Sequence, residues 1–225
     1  MSAIASTWQT FFSLDRPGKI VCIGLNYHDH AGESGMAIPA EPLLFGKFPN
    51  TVIGPGEPIV LPSASEHVDG EAELAVVIGT TAHNVYRETA MDYVFGFTVA
   101  NDVSARDLQF GDGQWFRGKG FDTFCPVLPQ IVPRDDVPDP HDLGVVQRVN
   151  GAVLQDGNTR DLIFDIPTLV AFAASVMTLE PGDLILTGTP PGVGYFRDPR
   201  IALRPGDTVE VEVECLGTLA NPVVG

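Results

Sequence analysis

Short apolar runs, each cut off by glycine, proline or an acid, set the rhythm of this chain. Residues 19–25, 71–79 and 95–102 are dominated by strand-forming side chains and predict buried strands. Asn150-Gly151, flanked by residues 145–149 and 152–154, predicts a hairpin with a type I′ turn. Pro181-Gly182-Asp183 and Pro205-Gly206-Asp207 are turns that each launch a strand. Helical spacing is rarer. Residues 4–14 predict a short amphipathic helix with Trp8, Phe11 and Phe12 turned inward, stopped by Pro17-Gly18. Asp165 predicts the cap of a helix running through Leu169, Val170, Ala173, Val176 and Met177, with Pro167 near its first turn. Residues 35–63 read as loops and short strands. Many short strands and few helices predict a mostly β (α+β) fold, closed or rolled, with short helices at its rim. Residues 1–17 form an arm and residues 18–225 a single domain.

Composition narrows the function. The 225 residues are 44% hydrophobic, enough for one large core, with 13 basic against 29 acidic side chains and a formal charge of −16. That charge repels phosphate backbones and anionic lipid surfaces, so neither nucleic acid nor membrane is expected as a partner. An anionic substrate needs a local positive site. Cys22, Cys125 and Cys215 lack metal-type spacing and read as reduced core thiols. The first residues lack a basic leader and no apolar run reaches bilayer length, so a cytoplasmic protein is expected.

Chemistry gathers where strands end. On a strand, Glu71 and Glu73 leave the same face, and two like charges so close call for a cation between them. Asp102 closes the next apolar run. An all-oxygen set of Glu71, Glu73 and Asp102 suits Mg²⁺ or Mn²⁺. The Glu-x-Glu spacing alone fits a solvated edge strand at least as well. If residues 102–109 are helical, Asp102, Arg106 and Gln109 share one face; an ordinary intrahelical pair is the equal alternative. His30 and Glu33 are three apart, so on a helical turn the carboxylate orients the imidazole, unless the segment is a polar surface loop. Lys119, among glycines and aromatics, reads as a catalytic or substrate-binding ammonium or as a surface lysine lying over Trp115. The loop Thr187-Gly188-Thr189-Pro190-Pro191-Gly192 has no P-loop lysine; its N–H groups and the Thr189 hydroxyl suit a small carboxylate, or the loop is simply a rigid turn.

Six separated motifs occur together. Gly24-Leu25-Asn26-Tyr27 with His30 and Glu33, Glu71-Ala72-Glu73-Leu74, residues 100–109, Gly118-Lys119 with Asp122, Asn150-Gly151, and residues 187–194 resemble the fumarylacetoacetate hydrolase family in its own order. The resemblance implies a mixed β-roll or pseudo-barrel, usually a homodimer, with Mg²⁺ or Mn²⁺ on Glu71, Glu73 and Asp102. It also implies a His30–Glu33 dyad on a lid segment, catalytic Lys119, and substrate contacts from Arg106, Gln109, Gly188 and Thr189. The short chain is most similar to the acylpyruvate hydrolase branch. The leading expectation is therefore hydrolysis of a carbon–carbon bond in a 2,4-diketo acid, a small anionic substrate. Oxaloacetate decarboxylation or keto–enol and dienoate isomerisation is the runner-up, and a catalytically silent metal- or ligand-binding protein the alternative of another class. Gly70, Leu128 and Cys215 depart from the family pattern, and the first two are expected to reshape the pocket wall.

Overall fold

The computed structural model describes residues 3–225 apart from Asp112 and the side chains of His30, Ala31 and Ser34. In chain order, helix α1 (Ala3–Phe12) leads to strand β1 (Ile20–Gly24), helix α2 (His28–Ser34) and strands β2 (Leu43–Lys47), β3 (Val52–Ile53), β4 (Ile59–Val60), β5 (Val68–Asp69) and β6 (Ala72–Ile78). Next come β7 (Val94–Asn101), β8 (Ser104–Ala105), α3 (Arg106–Gly111), α4 (Trp115–Lys119), β9 (Cys125–Pro126), β10 (Val132–Pro133), β11 (Gly144–Val149) and β12 (Ala152–Asn158). Helix α5 (Ile166–Val176) and strands β13 (Leu184–Leu186), β14 (Thr208–Val213) and β15 (Gly217–Val224) complete the chain.

Six strands form one sheet in the order β10-β7-β6-β13-β1-β2, and five form a second, β12-β11-β14-β15-β4. Pairing is mixed: β1 runs parallel to β13 and β15 to β4, whereas β6 runs antiparallel to β7 and to β13. The expected mostly β architecture is present, and neither large sheet closes into a barrel. Strand β6 explains the long apolar run in the sequence, because all seven of its residues are buried. Leu74, Val76 and Ile78 face a core shared with Val145, Val211 and Leu219 of the second sheet, while Ala75 and Val77 face a smaller core with Ile4, Trp8 and Cys22. Period-two alternation sends successive residues to two different cores. Strands β11 and β14 cover only one face and alternate instead.

Local signals hold in most places. Asn150 and Gly151 both adopt positive φ, as the type I′ turn requires. The Asp165 side chain accepts the Thr168 N–H and caps α5. Two expectations fail. Phe11 is 53% exposed: α1 is anchored through the buried Ile4 and Trp8, and Phe11 meets the sheet only through the ring of Phe95 in β7. Cys215 is exposed, in the turn between β14 and β15, with φ +64, a backbone conformation that favours glycine.

Candidate metal centre and active site

Strand pairing assembles the centre. The register Ala72↔Asn101 and Glu73↔Ala100 sets the start of β6 beside the end of β7, and Asp69↔Ser104 continues the approach in the β5–β8 ribbon. Glu73 lies on β6, whereas Glu71 immediately precedes it, and the Asp102 N–H donates to the Glu71 carbonyl at 2.9 Å. Carboxylate oxygens of Glu71, Glu73 and Asp102 lie within 4.8 Å of one another, all buried. The solvated-edge reading of Glu-x-Glu is thereby excluded.

Three buried cations meet these carboxylates. Lys119 Nζ donates to Glu71 Oε2 at 2.6 Å, Asp102 Oδ2 at 2.8 Å and Ser104 Oγ at 2.8 Å. Lys47 Nζ pairs with Asp102 Oδ1 at 2.7 Å and donates to the carbonyls of Val103, Lys119 and Phe124. Arg106 forks between Asp69 Oδ1 at 2.6 Å and Glu71 Oε1 at 2.8 Å, while its remaining arm donates to Gln109 Oε1 at 3.0 Å. Burial opposes the Lys119 charge, yet Asp102 and Glu71 outweigh it and hold its pKa above the ordinary lysine value, so Lys119 is a fixed ammonium and not a base. Glu73 fares differently. Burial, then the charges of Asp102 and Glu71, push its carboxyl well above the usual range; Lys119 and the Gly188 N–H, 2.6 Å away, oppose this only in part.

That residual conflict tests whether a metal fits. Three converging carboxylates, all oxygen donors, with one of them inadequately compensated, match a hard divalent cation with oxygen ligands. The site therefore fits the expected class of ion. Around it a narrow cleft is lined by Glu71, Glu73, Arg106, Gln109, Lys119 and Thr189 on its polar side. Phe45, Phe110, Trp115 and Phe196 stand on its apolar side.

The other expected site residues distribute unevenly. Arg106 and Gln109 share a turn of α3, but Asp102 is not on that helix; β8 intervenes, and Glu71, which takes Arg106 on one oxygen and the Asp102-bound Lys119 on the other, links the two parts. The donors of residues 187–194 do hold carboxylates, though the chain's own: Gly188 N–H binds Glu73, and Gly192 N–H binds both Glu33 oxygens at 3.0 and 3.1 Å. Gly188 has φ +100 and its close approach to Asn26 leaves no room for a Cβ. The Thr189 hydroxyl lines the cleft while donating to the Ala72 carbonyl and accepting from Gln155. His30 lies on α2, as does Glu33, but its side chain is outside the described residues. Gly70 packs against the amides of Gln147 and Asn101 instead of the cleft.

Sequence reasoning missed Asp69 and Lys47. Asp69 continues the alternation of Glu71 and Glu73 by one step, which was a usable signal; Lys47, at the end of an apolar strand, offered only its solitary charge.

Comparison with known proteins agrees with this geometry. The model of the fumarylacetoacetate (FAA) hydrolase C-terminal domain matches residues 19–224. The mitochondrial oxaloacetate tautomerase fahd2 of Xenopus laevis is 50% identical over 213 residues, 94% of this chain and 67% of that protein. Human oxaloacetate tautomerase FAHD2A, also mitochondrial, is 50% identical over 93% of this chain and 67% of its own length. Among solved structures, 2-hydroxyhepta-2,4-diene-1,7-dioate isomerase from Mycobacterium marinum is 48% identical with a TM-score of 0.82, covering 92% of this chain and 75% of that one. A fumarylacetoacetate hydrolase from Exiguobacterium antarcticum is 42% identical with a TM-score of 0.86, covering 93% and 76% of the two chains.

Proposed function

Because this chain belongs to the fumarylacetoacetate hydrolase family, we propose that it is a divalent-metal-dependent tautomerase or isomerase acting on a small anionic 2-keto acid of the oxaloacetate type. The observation that carries this reading is the all-carboxylate centre braced by fixed cations, in a chain half identical to proteins named oxaloacetate tautomerase. It reverses the order suggested by the motifs alone, which put hydrolysis of a diketo acid first. The cytoplasm remains the expected compartment within this proposal; among the described residues no helix is long and apolar enough to cross a membrane.

Glu71, Glu73 and Asp102 would hold Mg²⁺ or Mn²⁺. When bound, that cation supplies Lewis-acid stabilisation of negative charge on the substrate's keto oxygen. The chain's own groups do the rest. Arg106 and Lys119 receive the substrate carboxylate and the charge that develops on the C2 oxygen, in a buried site where fixed charges act strongly. Gln109, lying against Arg106 in the cleft wall, orients a further oxygen. Enol-to-keto conversion removes the proton from the C2 hydroxyl and places one on C3, with no other atom gained or lost. His30 and Glu33 are assigned the proton transfer, with α2 closing over the cleft when substrate binds.

The test follows ultraviolet loss of the oxaloacetate enol, carbon dioxide release and pyruvate formation from acetylpyruvate in parallel. Enol–keto conversion should dominate, disappear with a chelator or in Asp102→Asn, and return to the wild type with Mg²⁺ or Mn²⁺. Efficient acetylpyruvate cleavage without tautomerisation would return hydrolysis to first place. Full activity of Asp102→Asn would remove the metal assignment.

A further inference from the structure

Two of the three carboxylate ligands stand where the sheet runs out of partners. Strand β13 pairs with β6 only as far as Leu186↔Ala75, so residues 71–73 have no neighbouring strand on that side. A loop and one distant side chain take its place. The Thr187 N–H reaches the Leu74 carbonyl, the Gly188 N–H the Glu73 carboxylate, and the Thr189 hydroxyl the Ala72 carbonyl at 3.0 Å. The Ala72 N–H is taken by Gln155 Oε1 at 2.9 Å, and Gln155 belongs to β12 of the second sheet.

Gln155 is the one buried residue of β12, 0% exposed between partly exposed and exposed neighbours. An amide so placed costs free energy unless its groups find partners. Here the partners also fix which way it points. The Ala72 N–H can only donate and the Pro190 carbonyl can only accept, so Oε1 faces Ala72 while Nε2 donates to Pro190 at 2.7 Å and to the Thr189 hydroxyl at 2.7 Å. On either side of this contact the loop presses onto β12: a Cβ on Gly157 would lie 2.4 Å from Pro190 Cβ, and one on Gly192 would lie 2.1 Å from the Leu154 carbonyl oxygen. No slack is left between loop and strand.

What this amide holds is the backbone between two ligands, since a pair of rigid peptide planes separates Glu71 from Glu73. The first plane is gripped at both ends, its carbonyl accepting the Asp102 N–H at 2.9 Å and its N–H donating to Gln155. The carbonyl of the second accepts from Thr189, which Gln155 itself holds. Rotation of either plane would swing one carboxylate relative to the other. Resting on the metal assignment made above, we infer that Gln155 is a positioning residue that sets the separation of Glu71 and Glu73, and thereby the size of divalent cation the centre accepts. Mg²⁺ demands near-ideal octahedral geometry at short distances, whereas Ca²⁺ accepts longer and more variable ones. A rigid pair of carboxylates discriminates between the two ions; a loosened pair does not.

The experiment titrates the metal-free protein with Mg²⁺ and, separately, with Ca²⁺ in a calorimeter. Gln155→Met keeps the length of the side chain and removes the amide. It should weaken Mg²⁺ binding about tenfold, the lower end of what losing a group that supports a ligand costs, and Ca²⁺ binding less, so that selectivity for Mg²⁺ falls. Thr189→Val, nearly isosteric and acting on the second peptide plane, should move selectivity in the same direction, and the double variant should add little, because both act on one network. Unchanged selectivity in Gln155→Met, whatever happens to its melting temperature, would overturn the inference while leaving the metal site standing; should that variant not fold, Thr189→Val decides by the same criterion. Failure of the wild type to bind either ion would overturn it together with the metal assignment. Altered selectivity in a protein that turns over no keto acid would support the positioning role and reject the proposed reaction.

Discussion

At the residue scale, the centre is a balance between carboxylates that repel one another and cations that only partly satisfy them. Glu73 is the side chain left in deficit: its pKa in the metal-free fold is raised well above the ordinary value. A carboxyl with a raised native pKa binds more protons folded than unfolded, so stability falls as pH climbs from the unfolded value of about 4.3 through the elevated one. A divalent cation should remove that loss. Melting temperature should therefore rise more on adding Mg²⁺ at pH 8 than at pH 5.5, as scanning fluorimetry would read. An increment that is larger at the lower pH would show that Glu73 does not titrate as described. The ligand set was legible because Glu71, Glu73 and Asp102 sit where apolar strands begin or end, a pattern visible in one dimension. The bracing was less so: Asp69 shares the alternation of Glu71 and Glu73, but its partner Arg106 lies 37 residues on, and nothing local distinguishes Lys47, which reaches Asp102, from a surface charge.

At the level of elements, α1 illustrates how much of this fold depends on single side chains. The helix is short and brings no capping acid, so its own propensity contributes little. Trp8 is fully buried, and its indole N–H donates to the Gly182 carbonyl at 2.8 Å. Trp8→Ala should cost about 3–5 kcal/mol, the range for removing a buried aromatic from a core, measured by denaturant unfolding. A loss under about 1 kcal/mol would mean that the helix is only loosely attached. The same element marks a boundary of sequence reading. Spacing placed Trp8, Phe11 and Phe12 on the packed side, but it could not show that Phe11 would touch the sheet only through Phe95 of β7 and stay half exposed, since that depends on the strands and not on the helix.

For the whole molecule, the proposal includes the homodimer that the family resemblance implies. Strand β2 is an outer strand of the six-stranded sheet, with Leu43 38% and Phe48 61% exposed beside it. An apolar sheet edge left open invites uncontrolled pairing, and a second copy is one way to cover it. Light scattering of the metal-loaded protein should return twice the chain mass; a monomer at micromolar concentration would reject this part of the proposal. The chain's mixed strand order was beyond sequence reading, because β1 pairs with β13 and β4 with β15 across most of the chain. Turn residues and alternation identify strands but carry no record of such distant partners.

The placement of lysine has a practical consequence for anyone handling the protein. The chain contains only three lysines, and two of them, Lys47 and Lys119, are 2% and 1% exposed at the centre. Lys19, paired with Glu180 and Asp183, keeps a third of its side chain in solvent. Among lysine side chains, amine-reactive dyes and surface-coupling chemistry should thus attach to the folded protein at Lys19. Modification of Lys47 or Lys119, read by peptide mass mapping, becomes a clock for opening of the site itself.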